Sequence, residues 1–256
     1  MTDSESQART AADVAAIIGC VAYKMSVEQG AQIVFAGRAV CLRYPKPFQH
    51  PWPRTVELWA EIMASDLASA AKARSLVLAK ARELHRLSIF GCDVHTDGEA
   101  IAAAGYDGCW NTSLLAAQLD EAPGAASASL AIERVERPEQ IAELNALDPE
   151  FPSHPASLGR QEFVDLLGRH AGRAVAKGQL VCMGGERAYV ADMFTGPAAR
   201  KAGYAGAVLS ALHNEAAARS VRRTVLIPSQ TAAESRFYEK RGYRQACLRA
   251  VFLSKA

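Results

Sequence analysis

One stretch in the second half of the chain has the residue types and spacing of a phosphate-binding helix start. Residues 187–206 read RAYVADMFTGPAARKAGYAG, so a strand-like run ends at Thr195 before a Gly-Pro turn and an apolar-faced helix. The first amides of a helix lack intrahelical acceptors and lie at the positive end of its dipole, where phosphate binds. Arg200 and Lys201 add two positive charges. Small residues, which let a ligand approach the backbone, follow at Ala202, Gly203, Ala205 and Gly206.

Spacing alone leaves a second interpretation of this stretch open. A run of small residues is also typical of an ordinary helix start that packs against a sheet. The charge distribution favours an anionic ligand in this half. Residues 1–128 carry 11 Lys and Arg against 14 Asp and Glu, whereas residues 129–256 carry 18 against 13. A local surplus of positive charge attracts anions.

A second motif lies further along the chain, after an apolar run that ends at Ser229. It reads Phe237-Tyr238-Glu239-Lys240-Arg241-Gly242-Tyr243. Together with Arg200-x-x-Gly203-x-Ala205, it resembles the GNAT superfamily of acetyl-CoA-dependent N-acyltransferases, whose signatures are Q/R-x-x-G-x-G/A and F/L-Y-E-K-L-G-F. The resemblance covers residues 129–256 well and residues 1–118 only through an internal repeat.

The resemblance implies a cofactor site for acetyl-CoA. The amides of 201–206 would bind the CoA pyrophosphate, and the edge of the strand at 193–195 would bind the pantetheine arm and polarise the thioester carbonyl. The acetyl group would lie where this strand splays from the next one, at 224–227. The implied cofactor-binding residues are Met193, Phe194, Thr195, Arg200, Lys201, Ala202, Gly203, Tyr204, Ala205, Gly206 and Thr231.

The resemblance also implies a mechanism in which an amine attacks the thioester directly, with both substrates bound together. Tyr238 stands at the family's general-acid position and would protonate the leaving CoA thiolate; the alternative is a core aromatic near a helix end. Thr231 departs from the family pattern, because many members carry a CoA-contacting Asn there. Candidates for the base that accepts the amine proton are Tyr189, Asp192 and Glu186, and the sequence does not choose among them.

The elements that would position these residues follow from hydrophobic periodicity. In the second half we predict helices near 138–146, 160–170, 203–219 and 231–240, with strands at 131–135, 173–177, 179–183, 187–195, 224–227 and 243–253. The first half predicts helices at 11–29, 66–86 and 97–104, with strands at 31–35, 39–44, 56–62, 88–92 and 105–115. This order predicts an α/β (α+β) fold with a mixed, mostly antiparallel sheet flanked by helices.

The two halves align with each other at one offset. Gly105-Tyr106 matches Gly242-Tyr243, a shift of 137, and the same shift aligns the preceding helices and strands. We therefore predict two GNAT-like domains, 1–118 and 130–256, joined by the linker 119–129. The shift places Met63, Asp66 and Ile101 opposite Arg200, Gly203 and Tyr238. A carboxylate would repel a pyrophosphate, so the N-terminal copy is expected to lack a cofactor site.

Composition limits the remaining function classes. The net charge of +2 is too small to indicate nucleic-acid binding, no Cys/His cluster has metal-ligand spacing, and no membrane span or signal peptide is expected. We therefore expect a cytoplasmic acetyltransferase that modifies an amine of a small molecule or peptide, with a homodimer as a candidate assembly. The alternative is a non-catalytic acyl-CoA-binding or interaction module with the same fold.

Overall fold

The computed structural model describes residues 3–49, 57–77, 84–103, 105–120, 129–228 and 232–254. The chain divides into two compact units. Unit 1 comprises Met1–Leu115, Ile227–Phe237 and Arg244–Ala256, and unit 2 comprises Ala116–Leu226 and Tyr238–Tyr243. Both are mixed assemblies of strands and helices, as the sequence predicts.

Unit 1 is built on antiparallel strands and one parallel pair. Its strand order is β1-β2-β3-β4-β11-β5, in which only β3 and β4 run parallel among the pairs with a described register. Its strands are β1 (Gln32–Ala36), β2 (Ala39–Gln49), β3 (Glu57–Ala64), β4 (His85–Phe90), β5 (Tyr106–Gln118) and β11 (Arg244–Ser254). Its helices are α1 (Asp3–Gln29), α2 (Leu67–Val77) and α3 (Val94–Ala103).

The last strand of the chain belongs to the core of unit 1. Strand β11 pairs antiparallel with β4, and its Ala250 and Phe252 join a buried cluster with Ile62 and Ile89. The two compact units therefore differ from the predicted domains 1–118 and 130–256, because the last strand of the chain lies in unit 1. Most of the expected linker, residues 121–128, lies outside the described residues.

Helix α1 is longer than the predicted 11–29. It is the one helix in the described part of the chain that is long and apolar enough to cross a membrane. This is weak evidence of a membrane span, because buried core helices of the same length and composition meet the same criteria. Its inner side includes charged residues: Asp13 is fully buried, and a buried ion pair joins Lys24 Nζ to Glu28 Oε1 at 2.8 Å.

Unit 2 has three antiparallel pairings and one parallel pairing in the order β10-β9-β8-β7-β6, and only β9 and β10 run parallel. Its strands are β6 (Ala131–Arg134), β7 (Phe163–His170), β8 (Arg173–Val181), β9 (Arg187–Thr195) and β10 (Arg223–Leu226). Its helices are α4 (Pro138–Leu147) and α5 (Tyr204–Ala218). Helix α6 (Ala232–Glu239) ends in this unit with Tyr238 and Glu239. The buried face of α5, with Val208, Leu209 and Leu212, packs on β7, β8 and β9.

The helix predicted near 160–170 is wrong, because these residues form strand β7. Residues 163–168 are all buried, so both faces of the strand are covered. A continuous apolar run of this length does not distinguish a buried strand from a helix by its periodicity. Asp165 is the polar exception, and Gln179 Nε2 and Ser157 Oγ satisfy its two oxygens at 2.9 and 3.2 Å.

Two other boundaries differ from prediction. The helix expected to reach Arg86 cannot do so, since strand β4 begins at His85 and pairs with β3. The two strands predicted at 173–177 and 179–183 are one strand, β8, because Gly178 continues the ladder opposite a bulge in β9. Elsewhere the predicted and observed elements agree to within a few residues, apart from the earlier start of α1.

Candidate functional site

The N-terminus of α5 has no side-chain cap. Gly203 occupies the N-cap position with φ 86°, and no described side chain makes a cap hydrogen bond there. The first three amides of the helix, at Tyr204, Ala205 and Gly206, have no preceding helical turn whose carbonyl oxygens could accept their hydrogen bonds. The first backbone bond from within α5 to its cap runs from Ala207 N to Gly203 O at 3.1 Å. These donors lie at the positive end of the helix dipole and suit an anionic ligand.

The two glycines of this turn have different surroundings. A Cβ added at Gly203 would meet nothing within 4 Å, so this position faces open space. A Cβ added at Gly206 would lie 2.5 Å from Nη2 of Arg241. Gly206 therefore makes room for a guanidinium from the second motif. This contact adds a third cation, beside Arg200 and Lys201, to the first turn of α5.

The side chain of Tyr204 points away from the open side of the turn. Its ring is buried and packs against the ring of His170, with centroids 5.4 Å apart. Among the predicted cofactor residues, Tyr204 can therefore offer its amide but not its hydroxyl-bearing ring face to a ligand at Gly203. Arg200, Lys201 and Ala202 are exposed.

A hydrogen bond from Arg200 connects this turn to the end of β9. The Nε of Arg200 donates to the carbonyl oxygen of Thr195 at 3.2 Å. The hydroxyl oxygen of Thr195 is buried and has no hydrogen-bond partner within the described part of the chain. A buried hydroxyl without a partner is costly. A polar ligand along this end of the strand would satisfy it.

A bulge interrupts β9 beside the predicted pantetheine-binding residues. Phe194 lies opposite Lys177, but Ala191 lies opposite Gln179, so two residues face Gly178. Asp192 takes up the extra length with φ 49°. Side-chain alternation is therefore broken after Ala191, so the sequence position of Asp192 does not fix the face of β9 on which its side chain lies.

Opposite the same bulge, position 178 has no room for a side chain and is occupied by Gly178. A Cβ at this position would lie 2.5 Å from Sδ of Met193, 2.9 Å from Leu212 and 3.0 Å from Val208. The side chain of Met193 thus lies over Gly178, next to the buried face of α5. Of the three strand residues assigned to the ligand, Met193 contributes its side chain to packing, which leaves its backbone for binding.

The ladder between β9 and β10 is short. It pairs Arg187, Ala188 and Tyr189 with Arg223, Thr224 and Val225, and β9 then continues to Thr195. The ladder stops because β10 ends at Leu226, so the last six residues of β9, up to Thr195, have no described ladder partner on the β10 side. The predicted acetyl-binding gap would lie beside this end of β9.

Tyr238 lies in the last turn of α6, in a Schellman cap formed by the second motif. Gly242 has φ 86°, its amide donates to Glu239 O at 3.2 Å, and the amide of Tyr243 donates to Tyr238 O at 3.2 Å. This motif brings the first and last residues of the segment together. The rings of Tyr238 and Tyr243 meet edge to face at 5.5 Å. Tyr238 is 8% exposed.

The loop after α4 is held to β8 and to α4 by polar contacts that the sequence analysis does not predict. Buried Lys177, on β8, binds Asp148 Oδ2 at 3.0 Å and the carbonyl oxygen of Phe151. The backbone amide of Ser153 donates to Oδ1 of Asn145 at 2.7 Å, and Nδ2 of Asn145 donates to the backbone carbonyl oxygen of Ser153 at 3.1 Å. A lysine within a strand gives no signal of such a tether, because its partner lies 29 residues earlier in the sequence.

Leu147 of this loop region lies close to the end of β9. Its Cδ1 would be 3.4 Å from a Cβ at Gly196. The loop therefore borders the strand end that carries Thr195. Phe151 remains 42% exposed there, so the loop is held by buried polar groups while an aromatic side chain faces outward.

Two predicted site residues remain to be placed, and the structure describes one of them. Thr231 lies outside the described residues. Glu186, one of the base candidates, is largely exposed at the start of β9, where it lies 3.7 Å from Arg222. Within the described ranges, no group of three or more His, Cys, Asp or Glu side chains could hold a metal ion.

Part of the second half of the sequence matches a known family. A family model described as the acetyltransferase (GNAT) domain matches residues 165–245. Residues 165–245 form a GNAT domain. The matched segment contains β9, α5 and the Tyr238 turn, so the GNAT domain includes both motifs on which the resemblance depends. No curated protein matches the chain significantly.

Solved structures extend the likeness in fold beyond the GNAT domain. A GCN5-related N-acetyltransferase from Kribbella flavida is 16% identical with a TM-score of 0.70, covering 94% of this chain and 96% of its own. A putative GNAT acetyltransferase from Novosphingobium aromaticivorans is 19% identical with a TM-score of 0.58, covering 96% and 99%. A tandem GNAT protein from the clavulanic acid biosynthesis pathway is 12% identical with a TM-score of 0.61, covering 99% and 95%. At these identities the likeness establishes the fold.

Proposed function

We propose that the protein is an acetyl-CoA-dependent N-acetyltransferase whose GNAT domain transfers an acetyl group to an amine of a small molecule or peptide. The observation that carries this proposal is the uncapped N-terminus of α5, with Gly203 facing open space between exposed basic residues and the end of β9. The CoA pyrophosphate would bind the amides of Tyr204–Gly206 and the side chains of Arg200 and Lys201. The unpartnered hydroxyl of Thr195 and the backbone of β9 would bind the pantetheine arm.

The gap predicted beyond the end of the β9–β10 ladder, which stops at Tyr189 and Val225, supports a direct mechanism. An acetyl group in that gap would have its carbonyl polarised by strand amides, and an amine bound beside it would attack without a covalent enzyme intermediate. The nitrogen–carbon bond forms, the carbon–sulfur bond breaks, and the CoA thiolate takes a proton from Tyr238. The amine proton passes to a base or to water.

The N-terminal half of the chain would then be a related copy without the cofactor chemistry. The 137-residue shift places the start of α2, Leu67, on the start of α5, Tyr204, and places β4, α3 and β5 within about a residue of β10, α6 and β11. This agreement supports a duplication. Unit 1 would serve packing or the shape of the acceptor site.

The test is release of the CoA thiol from acetyl-CoA with a panel of amines and peptides. We expect turnover with at least one acceptor, and Tyr238→Phe to lower kcat by about a hundredfold, in the range of general-acid effects. The affinity for acetyl-CoA, measured by calorimetry, should change less than twofold.

Two outcomes would contradict this proposal in different ways. Tight binding of acetyl-CoA without turnover on any acceptor would favour a non-catalytic acyl-CoA-binding module. Full activity of Tyr238→Phe would keep the reaction and remove Tyr238 as its acid.

A further inference from the structure

A closed group of three polar side chains is buried behind Tyr238. The hydroxyl of Tyr243 lies 2.9 Å from Nε2 of His213 and 2.9 Å from Oγ1 of Thr224. The hydroxyl of Thr224 is also 3.5 Å from the same nitrogen of His213. Tyr243 and Thr224 have no exposed surface, and His213 is 8% exposed.

The three residues come from three elements of the GNAT domain. His213 belongs to α5, Thr224 to β10, and Tyr243 to the end of the Schellman turn that begins at Tyr238. The network therefore joins the helix that carries the cofactor site, one wall of the strand gap, and the turn that carries the acid. A phenylalanine at 243 would fill the same volume without these bonds, so the hydroxyl needs an explanation beyond packing.

The protonation states suit a fixed network. Burial lowers the pKa of His213 to about 4, so its imidazole is neutral at physiological pH. Burial also raises the pKa of Tyr243 far above its ordinary value, so the phenol keeps its proton. A neutral imidazole and two hydroxyls offer enough donors and acceptors to satisfy one another. Such satisfied buried networks hold their members in one arrangement.

Tyr243 transmits this arrangement to Tyr238 through the edge-to-face contact of the two rings, 5.5 Å between centroids. Edge-to-face pairs fix the angle between two rings as well as their distance. Arg241 adds a second attachment of the same turn to α5, through its contact with Gly206 in the first helical turn. The turn is thus fastened to α5 near its N-terminus and again two turns later at His213.

We propose that Tyr243, held by His213 and Thr224, is a positioning residue that orients the Tyr238 phenol towards the CoA sulfur. This inference rests on the proposed acid role of Tyr238. It assigns no contact with substrate to Tyr243 itself. The hydroxyl of Tyr243 fixes its ring, and the ring fixes the direction in which the Tyr238 hydroxyl points.

Unit 1 supplies a matched control for this proposal. Tyr106 follows Gly105 as Tyr243 follows Gly242, and its hydroxyl lies 2.7 Å from Nε2 of buried His85. The residue five positions before Tyr106 is Ile101, which cannot donate a proton. Tyr106→Phe therefore removes the same kind of buried hydrogen bond without a neighbouring acid.

The experiment compares Tyr243→Phe with Tyr106→Phe in the full-length protein. For Tyr243→Phe we expect kcat to fall about tenfold, with KM for acetyl-CoA within twofold of wild type, and Tyr106→Phe to leave both constants unchanged. Thr224→Val, which removes one of two bonds to Tyr243, should lower kcat by about threefold, and Thr224→Ser should restore it. The ring resonance of Tyr238 in tyrosine-labelled protein should shift in Tyr243→Phe and not in Tyr106→Phe.

Several results would overturn the positioning role. These are equal kcat values for Tyr243→Phe and Tyr106→Phe, a parallel loss of acetyl-CoA affinity, or an unchanged Tyr238 resonance in Tyr243→Phe. Failure of the acid assignment is a separate result, since it appears as full activity of Tyr238→Phe. The Tyr238 resonance needs no turnover, so it decides the positioning role in either case.

Discussion

The helices α2 and α5 start in opposite ways. In unit 1, Asp66 caps α2: its Oδ1 accepts from the amide of Ser69 at 2.7 Å, and its Oδ2 accepts from the Ser69 hydroxyl at 3.0 Å. In unit 2, Gly203 stands at the corresponding place and no described side chain caps α5. At the start of α2 a side chain of the protein accepts a hydrogen bond from a helix amide. At the start of α5 no described side chain does so, and the amides can donate to a ligand.

The difference shows how a capping side chain can occupy helix-start amides that would otherwise be open to an anion. Hydrogen bonds from Ser69 lower the pKa of Asp66, so its carboxylate is ionised at neutral pH and places a negative charge at the helix start. That charge stabilises the helix dipole and repels a pyrophosphate. Helix formation and ligand binding thus compete for the same amides.

The second motif shows a similar pattern, in which the two units share a backbone turn and differ in one side chain. Both units keep a Gly-Tyr pair at a helix end, and both tyrosines bond to a buried histidine. Gly105 and Gly242 both have positive φ, as a left-handed cap requires. Only unit 2 has a tyrosine, Tyr238, at the start of the cap, whereas unit 1 has Ile101. The cap is therefore shared by the two units, and the residue at its start, Tyr238 or Ile101, differs.

The strongest test of this comparison transfers the cap of α2 to α5. Gly203→Asp should weaken acetyl-CoA binding at least a hundredfold, because a carboxylate would occupy the amides and repel the pyrophosphate. The measurement is the Kd for acetyl-CoA by calorimetry.

Gly203→Asn is the matched control for the added charge. Asparagine tolerates positive φ better than most residues and has nearly the same size as aspartate. It should weaken binding less than Gly203→Asp does. Wild-type affinity in Gly203→Asp would refute the placement of the pyrophosphate.

Acid tests the buried Tyr243–His213 pair. The pKa of His213 is lowered by burial from 6.5 to about 4, so between these pH values the unfolded chain binds a proton that the folded protein does not. The free energy of unfolding should therefore fall as pH drops from 6.5 to 4, by about 3 kcal/mol in all. Urea titrations of wild type and His213→Leu across this range measure the effect.

His213→Leu should lose this part of the pH dependence. Tyr243→Phe should keep it, because the pKa shift is caused by burial rather than by the hydrogen bond. Equal pH slopes for wild type and His213→Leu would show that His213 is not the titrating group.

The smallest effect is expected at the cap of α2. Asp66→Ala should lower the free energy of unfolding by about 1 kcal/mol, the usual cost of losing an N-cap. Asp66→Asn, which keeps an oxygen acceptor, should cost only a fraction of that. Urea denaturation measures both, and acetyl-CoA affinity should stay at the wild-type value. A change in that affinity on Asp66→Ala would link unit 1 to cofactor binding.

Much of the site was predictable because its signals are local. The amide-exposing turn at 200–206 and the cap at 238–243 are each written in a few consecutive residues, and Ser65-Asp66 is a local cap signal. The helix wrongly predicted at 160–170 shows where local signals fail. A strand covered on both faces has no alternation, so only its partners β6 and β8 reveal it.

The sequence by itself determined the helix-start and helix-end motifs, the family they resemble, and the presence of Asp66 and Ile101 where the second half has Gly203 and Tyr238, because each depends on residues a few positions apart. Tertiary structure alone decided which distant groups meet. It placed Arg241 on Gly206, Lys177 on Asp148, and Tyr243 between His213 and Thr224. It also gave the last strand to the core of unit 1. These contacts depend on strand order and burial, and sequence spacing carries no information about either.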